Sequence, residues 1–102
     1  MLEVTQEMER VFKENPLYSK DGQGKKAKVI ARFYLPGTSM EWLVTEAGEE
    51  EGQWTLYDYC HIFEWEWGYM NLTEMMEINT YGLTISAEVL RKDAQRTVES
   101  FL

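Results

Sequence analysis

Positively charged residues are missing from the middle of this 102-residue chain. Between Phe33 and Leu90 there is no lysine or arginine, whereas eleven aspartates and glutamates fall in that stretch. The flanks hold all ten basic residues and seven acidic ones, so a central charge of about −11 faces flanks of about +3. Such a region repels free nucleic acid and attracts basic protein surfaces. We therefore expect a basic protein partner and no direct contact with nucleic acid.

Cysteine and long apolar runs are equally scarce. A single cysteine, Cys60, excludes an internal disulfide. No apolar run approaches the roughly 20 residues that a membrane-spanning helix needs. The first sixteen residues are charged and lack the basic-then-apolar layout of a signal peptide. These absences predict a cytoplasmic protein with no membrane segment.

Apolar residues are nevertheless abundant enough for a core. With 44% hydrophobic and 14% aromatic residues, the chain can bury a core without help from a metal or a disulfide. Its length is typical of one domain, which we assign to residues 1–102.

Three segments carry helical signals. Val4–Lys13 places apolar residues at helical spacing and is stopped by Asn15-Pro16. Asn71, with Glu74 three residues later, is typical of a helix cap and predicts a short helix from Leu72 to about Ile78. Ser86 is the predicted cap of a C-terminal helix that runs to Leu102.

Four segments between these helices carry strand signals, namely Lys28–Leu35, Glu41–Glu46, Trp54–Ile62 and Trp67–Met70. An acidic loop, AGEEEGQ, separates the second from the third. Because the connections have hairpin length, the sequence predicts an α+β fold: a four-stranded antiparallel meander with an N-terminal, a short middle and a C-terminal helix on one face.

Cys60 and His61 raise the question of catalysis or metal binding. Neighbours on a strand point to opposite faces, so the imidazole is not expected to activate the thiol. A zinc ion bound by Asp58, His61 and Glu64 stays open as an alternative, in a small metalloprotein or metal-assisted enzyme. The spacing has no zinc-site signature, so we expect neither a cofactor nor catalysis.

The stretch FEWEWGYM instead suggests adhesion. Trp65 falls in the predicted connection between the third and fourth strands, where burial is difficult, and Glu64 and Glu66 flank it. Exposed aromatics beside carboxylates are typical contacts with a basic partner. The predicted partner-binding residues are Glu49, Glu50, Glu51, Glu64, Trp65 and Glu66.

Three segments, FYLPGTSMEWLVTE, LYDYC and EWGYMNLTEM, resemble in order and spacing a family of small proteins of unknown function. Bacterial plasmids, phages and integrated mobile elements carry that family. The matching positions are Phe33, Pro36, Trp42, Thr45, Glu46, Tyr57, Asp58, Glu66, Gly68, Tyr69, Leu72 and Glu74. After Ile85 the chain departs from the family, whose tail is extended and acidic. The resemblance implies a mobile-element setting and a fold, and it implies no activity.

With its small size, its mobile-element setting and its acidic face, the protein also resembles in kind the anti-CRISPR and antirestriction inhibitors. Those proteins occupy basic surfaces that host nucleases use for nucleic acid. We therefore expect an acidic binding protein that inhibits a host defence enzyme, such as a CRISPR effector nuclease or a restriction enzyme, by occupying a basic groove.

Overall fold

An antiparallel sheet of five strands, in the order β4-β3-β2-β1-β7, organises the residues that the computed structural model describes, 4–80 and 82–102. Its strands are β1 Ala31–Tyr34, β2 Glu41–Glu50, β3 Gln53–His61, β4 Trp65–Asn71 and β7 Ser86–Val89. A separate two-stranded ribbon pairs β5 Asn79–Thr80 with β6 Leu83–Thr84. The α+β class and the meander β1-β2-β3-β4 are as predicted, and β7 is an additional strand beside β1.

The predicted C-terminal helix is wrong. Ser86–Val89 pairs with β1 as a strand, and only two short 3₁₀ helices follow, Lys92–Ala94 and Val98–Phe101. The reason is tertiary: as a strand this segment pairs with the backbone groups on the outer edge of β1, and a helix cannot supply such a ladder of hydrogen bonds. Further along the chain, Val29 N–H donates to the Arg96 carbonyl at 2.8 Å, which keeps the tail beside the sheet.

The two helices follow the sequence signals. Helix α1, Gln6–Glu14, begins where the Thr5 hydroxyl accepts a hydrogen bond from Met8 N–H, and it ends before Pro16. Helix α2, Leu72–Glu77, is capped as predicted, because the Asn71 side-chain oxygen accepts from Thr73 and Glu74 N–H. In the described part of the chain, no helix has the length and apolar character that crossing a membrane requires.

Both faces of the sheet are covered at the centre, which differs from the one-sided arrangement predicted. The first face packs under α1 and α2, and its core includes Phe12, Phe33, Trp42, Leu56 and Met75. The second face packs Leu43 and Tyr59 against Val29 and Val98 from outside the sheet. Complete burial of side chains of this size stabilises the fold by about 1.5–3 kcal/mol each.

The acidic loop predicted between the second and third strands is a tight turn instead. β2 and β3 pair as far as Glu50 and Gln53, which leaves Glu51 and Gly52 as the turn residues. Their φ angles are +53° and +78°, the left-handed pair that a two-residue hairpin turn requires. Glu49 and Glu50 therefore lie on β2.

Replacing Glu51 by Asn should stabilise the protein by about 1 kcal/mol, because Asn accepts left-handed backbone more readily than Glu. Urea unfolding followed by tryptophan fluorescence measures the change. Glu50→Asn removes the same charge from a strand position and should give no gain. Equal midpoints for the Glu51 variant and the parent protein would contradict the strain argument.

Candidate functional site

Six aromatic rings form a continuous row along β3 and β4 on the second face of the sheet. We call this row the aromatic ladder, and its order is His61, Trp65, Tyr59, Trp67, Tyr57, Tyr69. Consecutive ring centroids lie 4.9–5.3 Å apart, and two of the pairs are stacked with an interplanar angle of 11°. The ladder follows from cross-strand register, since Tyr59 faces Trp67 and His61 faces Trp65.

The faces of the inner rings in the aromatic ladder are in contact with neighbouring rings of the same ladder. Each of its four inner rings contacts a ring on either side, so a base or sugar would have to displace an aromatic partner in order to stack. Trp65 is one of these rings: it lies in β4, half-buried and stacked on Tyr59 at 5.3 Å. The structure thus differs from the expectation that Trp65 sits in an exposed connection.

Residues 18–28, which we call the lysine loop, cross the same face. The Glu46 carboxylate is buried and accepts hydrogen bonds from Tyr18 N–H at 2.9 Å and Lys20 N–H at 2.8 Å. Lys20 Nζ donates to the carbonyls of Thr45 at 2.7 Å and Lys28 at 3.0 Å. Burial lowers the pKa of Lys20 to about 8, while the negative charge of Glu46 opposes that shift. These contacts attach the loop to β2.

The lysine loop also brings positive charge to the ladder. Lys25 Nζ lies 5.4 Å from the centre of the Tyr59 ring, within cation–π range. A cleft of about 340 Å³ remains between the loop and the ladder, and it is lined in part by Lys20, Glu46 and Trp67. Around the ladder, the positive charge of the lysine loop therefore offsets the negative charge of the central segment.

Three of the eleven central carboxylates do not contribute to the negative charge of the surface, because they are buried or paired. Glu46 is held by the lysine loop, and Glu41 bonds Arg32 at 2.6 Å. Asp58 is completely buried, and burial raises its pKa to about 8. Of the remaining eight, Glu88 lies across from Arg32 in the β1–β7 pairing.

All eight remaining carboxylates stay exposed, and none of them is in an ion pair within the described residues. They are Glu49, Glu50, Glu51, Glu64, Glu66, Glu74, Glu77 and Glu88. Glu49–Glu51 lie at the β2–β3 turn, and α2 begins at the same end of the sheet because Asn71 pairs with Thr55. Glu64 lies at the opposite end, roughly 30 Å away along the strands. The predicted partner-binding residues thus form two separate acidic groups.

The residues proposed for a metal site are not brought together. Asp58 lies on the first face of the sheet and His61 on the second, while Glu64 is exposed beyond the end of β3. His61 Nδ1 instead lies 3.1 Å from the Ser39 carbonyl. Across residues 4–80 and 82–102, no group of three His, Cys, Asp or Glu side chains has a metal-binding arrangement.

Cys60 also points away from His61, as strand alternation predicted. It belongs to the core of the first face, opposite Trp42. Burial raises the pKa of its thiol to about 11, and the nearby carboxyl of Asp58 acts in the same direction. The thiol therefore stays protonated at neutral pH, which makes it a poor nucleophile.

A cleft of about 920 Å³ lies between α1 and the segment around residues 90–95. Its rim carries charges of both signs, including the pairs Arg10–Glu14 at 3.7 Å and Arg91–Asp93 at 2.8 Å. Because these charges are paired with each other, the cleft does not present a surface of one sign, unlike the exposed carboxylates.

One exposed feature was not recognised from the sequence. Ile62, Phe63 and Glu64 join β3 to β4, and we call these three residues the β3–β4 tip. Phe63 is 96% exposed, and it directly follows the third strand predicted from the sequence, Trp54–Ile62. The hairpin-length interval between the aromatic pairs was the available signal, since it places Phe63 in the turn.

Comparisons with protein-family models, with curated proteins and with solved structures give no match to this chain.

Proposed function

We propose that this chain is a mobile-element-encoded binding protein that acts in the bacterial cytoplasm and inhibits a host enzyme that handles nucleic acid. It does so by placing carboxylates on a basic groove of the enzyme, as inhibitors of the anti-CRISPR and antirestriction kinds do. The observation that carries this proposal is the set of eight exposed central carboxylates without an ion-pair partner among the described residues.

The spacing of the two acidic groups favours an extended binding surface. Glu49–Glu51 and Glu64 are separated by roughly the length of β2, about 30 Å. A groove shaped for a nucleic-acid strand is basic along its length, so it can meet both groups. A small round pocket could meet only one of them.

The aromatic ladder supports a protein partner over a nucleic acid. Its inner rings are closed to stacking, and the exposed charge beyond the lysine loop is negative. The resemblance to the mobile-element family points the same way, because a small protein carried between hosts gains from disabling a defence nuclease. The metal-dependent alternative has less support, since Asp58 and His61 lie on opposite faces.

The test is binding to a panel of purified CRISPR effector nucleases and restriction enzymes at increasing salt. We expect at least one complex that excludes DNA and weakens steeply between about 50 and 500 mM salt, because the paired charges are screened. Changing Glu49, Glu50 and Glu51 together to Lys should lower the association rate at least about tenfold.

The matched control changes Glu7, Glu9 and Glu99 to Lys, which alters net charge equally outside the acidic centre. This control should keep most of the association rate. Binding that is indifferent to salt, or equal loss in both triple variants, would contradict the proposal.

A further inference from the structure

The β3–β4 tip combines an exposed aromatic side chain with an exposed carboxylate, and a second exposed carboxylate, Glu66, lies close by on β4. Phe63 is 96% exposed, and Glu64 and Glu66 on either side of Trp65 are also exposed. A phenyl ring held in water forgoes the stabilisation that burial would give. The exposed ring therefore contributes little to this fold, and it remains free to contribute to a contact with another molecule.

The residues at the base of the β3–β4 tip are fixed by contacts with neighbouring residues. At its root, the rings of His61 and Trp65 contact each other at 5.1 Å, and Trp65 stacks on Tyr59. His61 Nδ1 also lies 3.1 Å from the Ser39 carbonyl, which ties the root to the β1–β2 connection. A side chain presented on a rigid support loses less conformational entropy on binding than one on a loose loop.

The charges around Phe63 indicate what kind of surface it would meet. Glu64 and Glu66 have no ion-pair partner in the described chain, and the nearby cation on β1, Arg32, is bound to Glu41 at 2.6 Å. An anionic lipid surface would repel these carboxylates. A protein pocket that is apolar inside and edged by Lys or Arg would complement both the ring and the charges.

We propose that the β3–β4 tip is the anchor of this protein, with Phe63 entering an apolar pocket of the basic partner and Glu64 and Glu66 pairing with Lys or Arg at its edge. This inference rests on the proposed function and adds to it which end of the sheet holds the partner. Glu49–Glu51 then serve mainly to steer the approach, because exposed charges without an anchor affect association rate more than dissociation.

The first test measures the affinity of Phe63→Ala for the panel enzyme that binds the parent protein. We expect the dissociation constant to rise about 30-fold or more, as for a hot-spot aromatic. The thermal midpoint should not change, because the ring is exposed. Met76→Ala is the matched control: Met76 is 42% exposed on α2, at the other end of the sheet, and this variant should keep the parent affinity.

The second test places p-benzoylphenylalanine at position 63 or at position 76 and irradiates each complex. Crosslinking to the panel enzyme from position 63 only supports the anchor. Salt-dependent binding with full affinity in Phe63→Ala, or crosslinking from position 76 only, overturns the anchor and leaves the proposed function intact. Crosslinks between two copies of this chain overturn it in favour of self-association. Failure of every panel enzyme to bind overturns both proposals.

Discussion

The parent protein should lose much of its stability as the pH rises from about 4 to about 8, and the substitution Asp58→Asn should remove this pH dependence. Asp58 is 0% exposed, and neither carboxyl oxygen has a hydrogen-bond partner within the described residues. Burial raises its pKa from 3.8 to about 8, and the Cys60 thiol opposes this only in part. The folded protein therefore keeps a proton that the unfolded chain releases above pH 4.

The sign of the effect follows from that proton. Between pH 4 and 8 the folded state binds more protons than the unfolded state, so the free energy of unfolding falls with pH. By pH 7 the loss is on the order of 4 kcal/mol. Asn cannot ionise, so the variant should match the parent near pH 4 and exceed it increasingly up to pH 8.

Urea unfolding at each pH, followed by tryptophan fluorescence, measures this difference. Glu66→Gln removes an exposed carboxylate on β4, across from Cys60, and should leave the pH dependence unchanged. Parallel pH profiles for the parent and Asp58→Asn would show that Asp58 ionises as it does in the unfolded chain.

Glu46→Ala should destabilise the fold by about 3–4 kcal/mol. The substitution removes the acceptor for Tyr18 and Lys20 N–H and leaves the half-buried Lys20 ammonium without its nearby negative charge. Because the lysine loop is then detached from β2, it should also be cleaved faster by trypsin at Lys20, Lys25 or Lys26.

Two variants sharpen this second experiment. Glu46→Gln keeps one acceptor oxygen and should lose about half as much stability. Glu49→Ala removes an exposed carboxylate of the same strand and should change stability by less than about 0.5 kcal/mol. A Glu46→Ala protein as stable and as protease-resistant as Glu49→Ala would mean that Glu46 does not hold the loop.

Local chemistry made several elements predictable. Pro16 ends α1 because it lacks an N–H, and the Asn71 side chain caps α2. Strand alternation correctly separated Cys60 from His61 in β3, since that property depends only on neighbouring residues. The expected partner-binding residues were harder to place, because the distance between Glu51 and Glu64 depends on how two strands pair.

The C-terminal segment shows why other predictions failed. Leu90, Val98 and Phe101 recur at helical spacing, yet Val98 is buried beside Val29 as the first residue of a short 3₁₀ helix. The edge of β1 takes up Ser86–Val89 as a strand, and that competition is invisible in the segment itself. The prediction that Trp65 lies in an exposed connection fails for the same reason, because the Tyr59 ring that stacks on Trp65 belongs to the neighbouring strand.

The sequence by itself determined the α+β class, the Asn71 cap of α2, the alternation within strands and the lack of positive charge from Phe33 to Leu90. Each of these depends on residue type or on near neighbours along the chain. Only the tertiary structure decided which carboxylates remain exposed, which aromatic rings contact each other and that Ser86–Val89 joins the sheet as a strand. Those outcomes depend on strand register and on segments that pack from far along the chain, so no local pattern contains them.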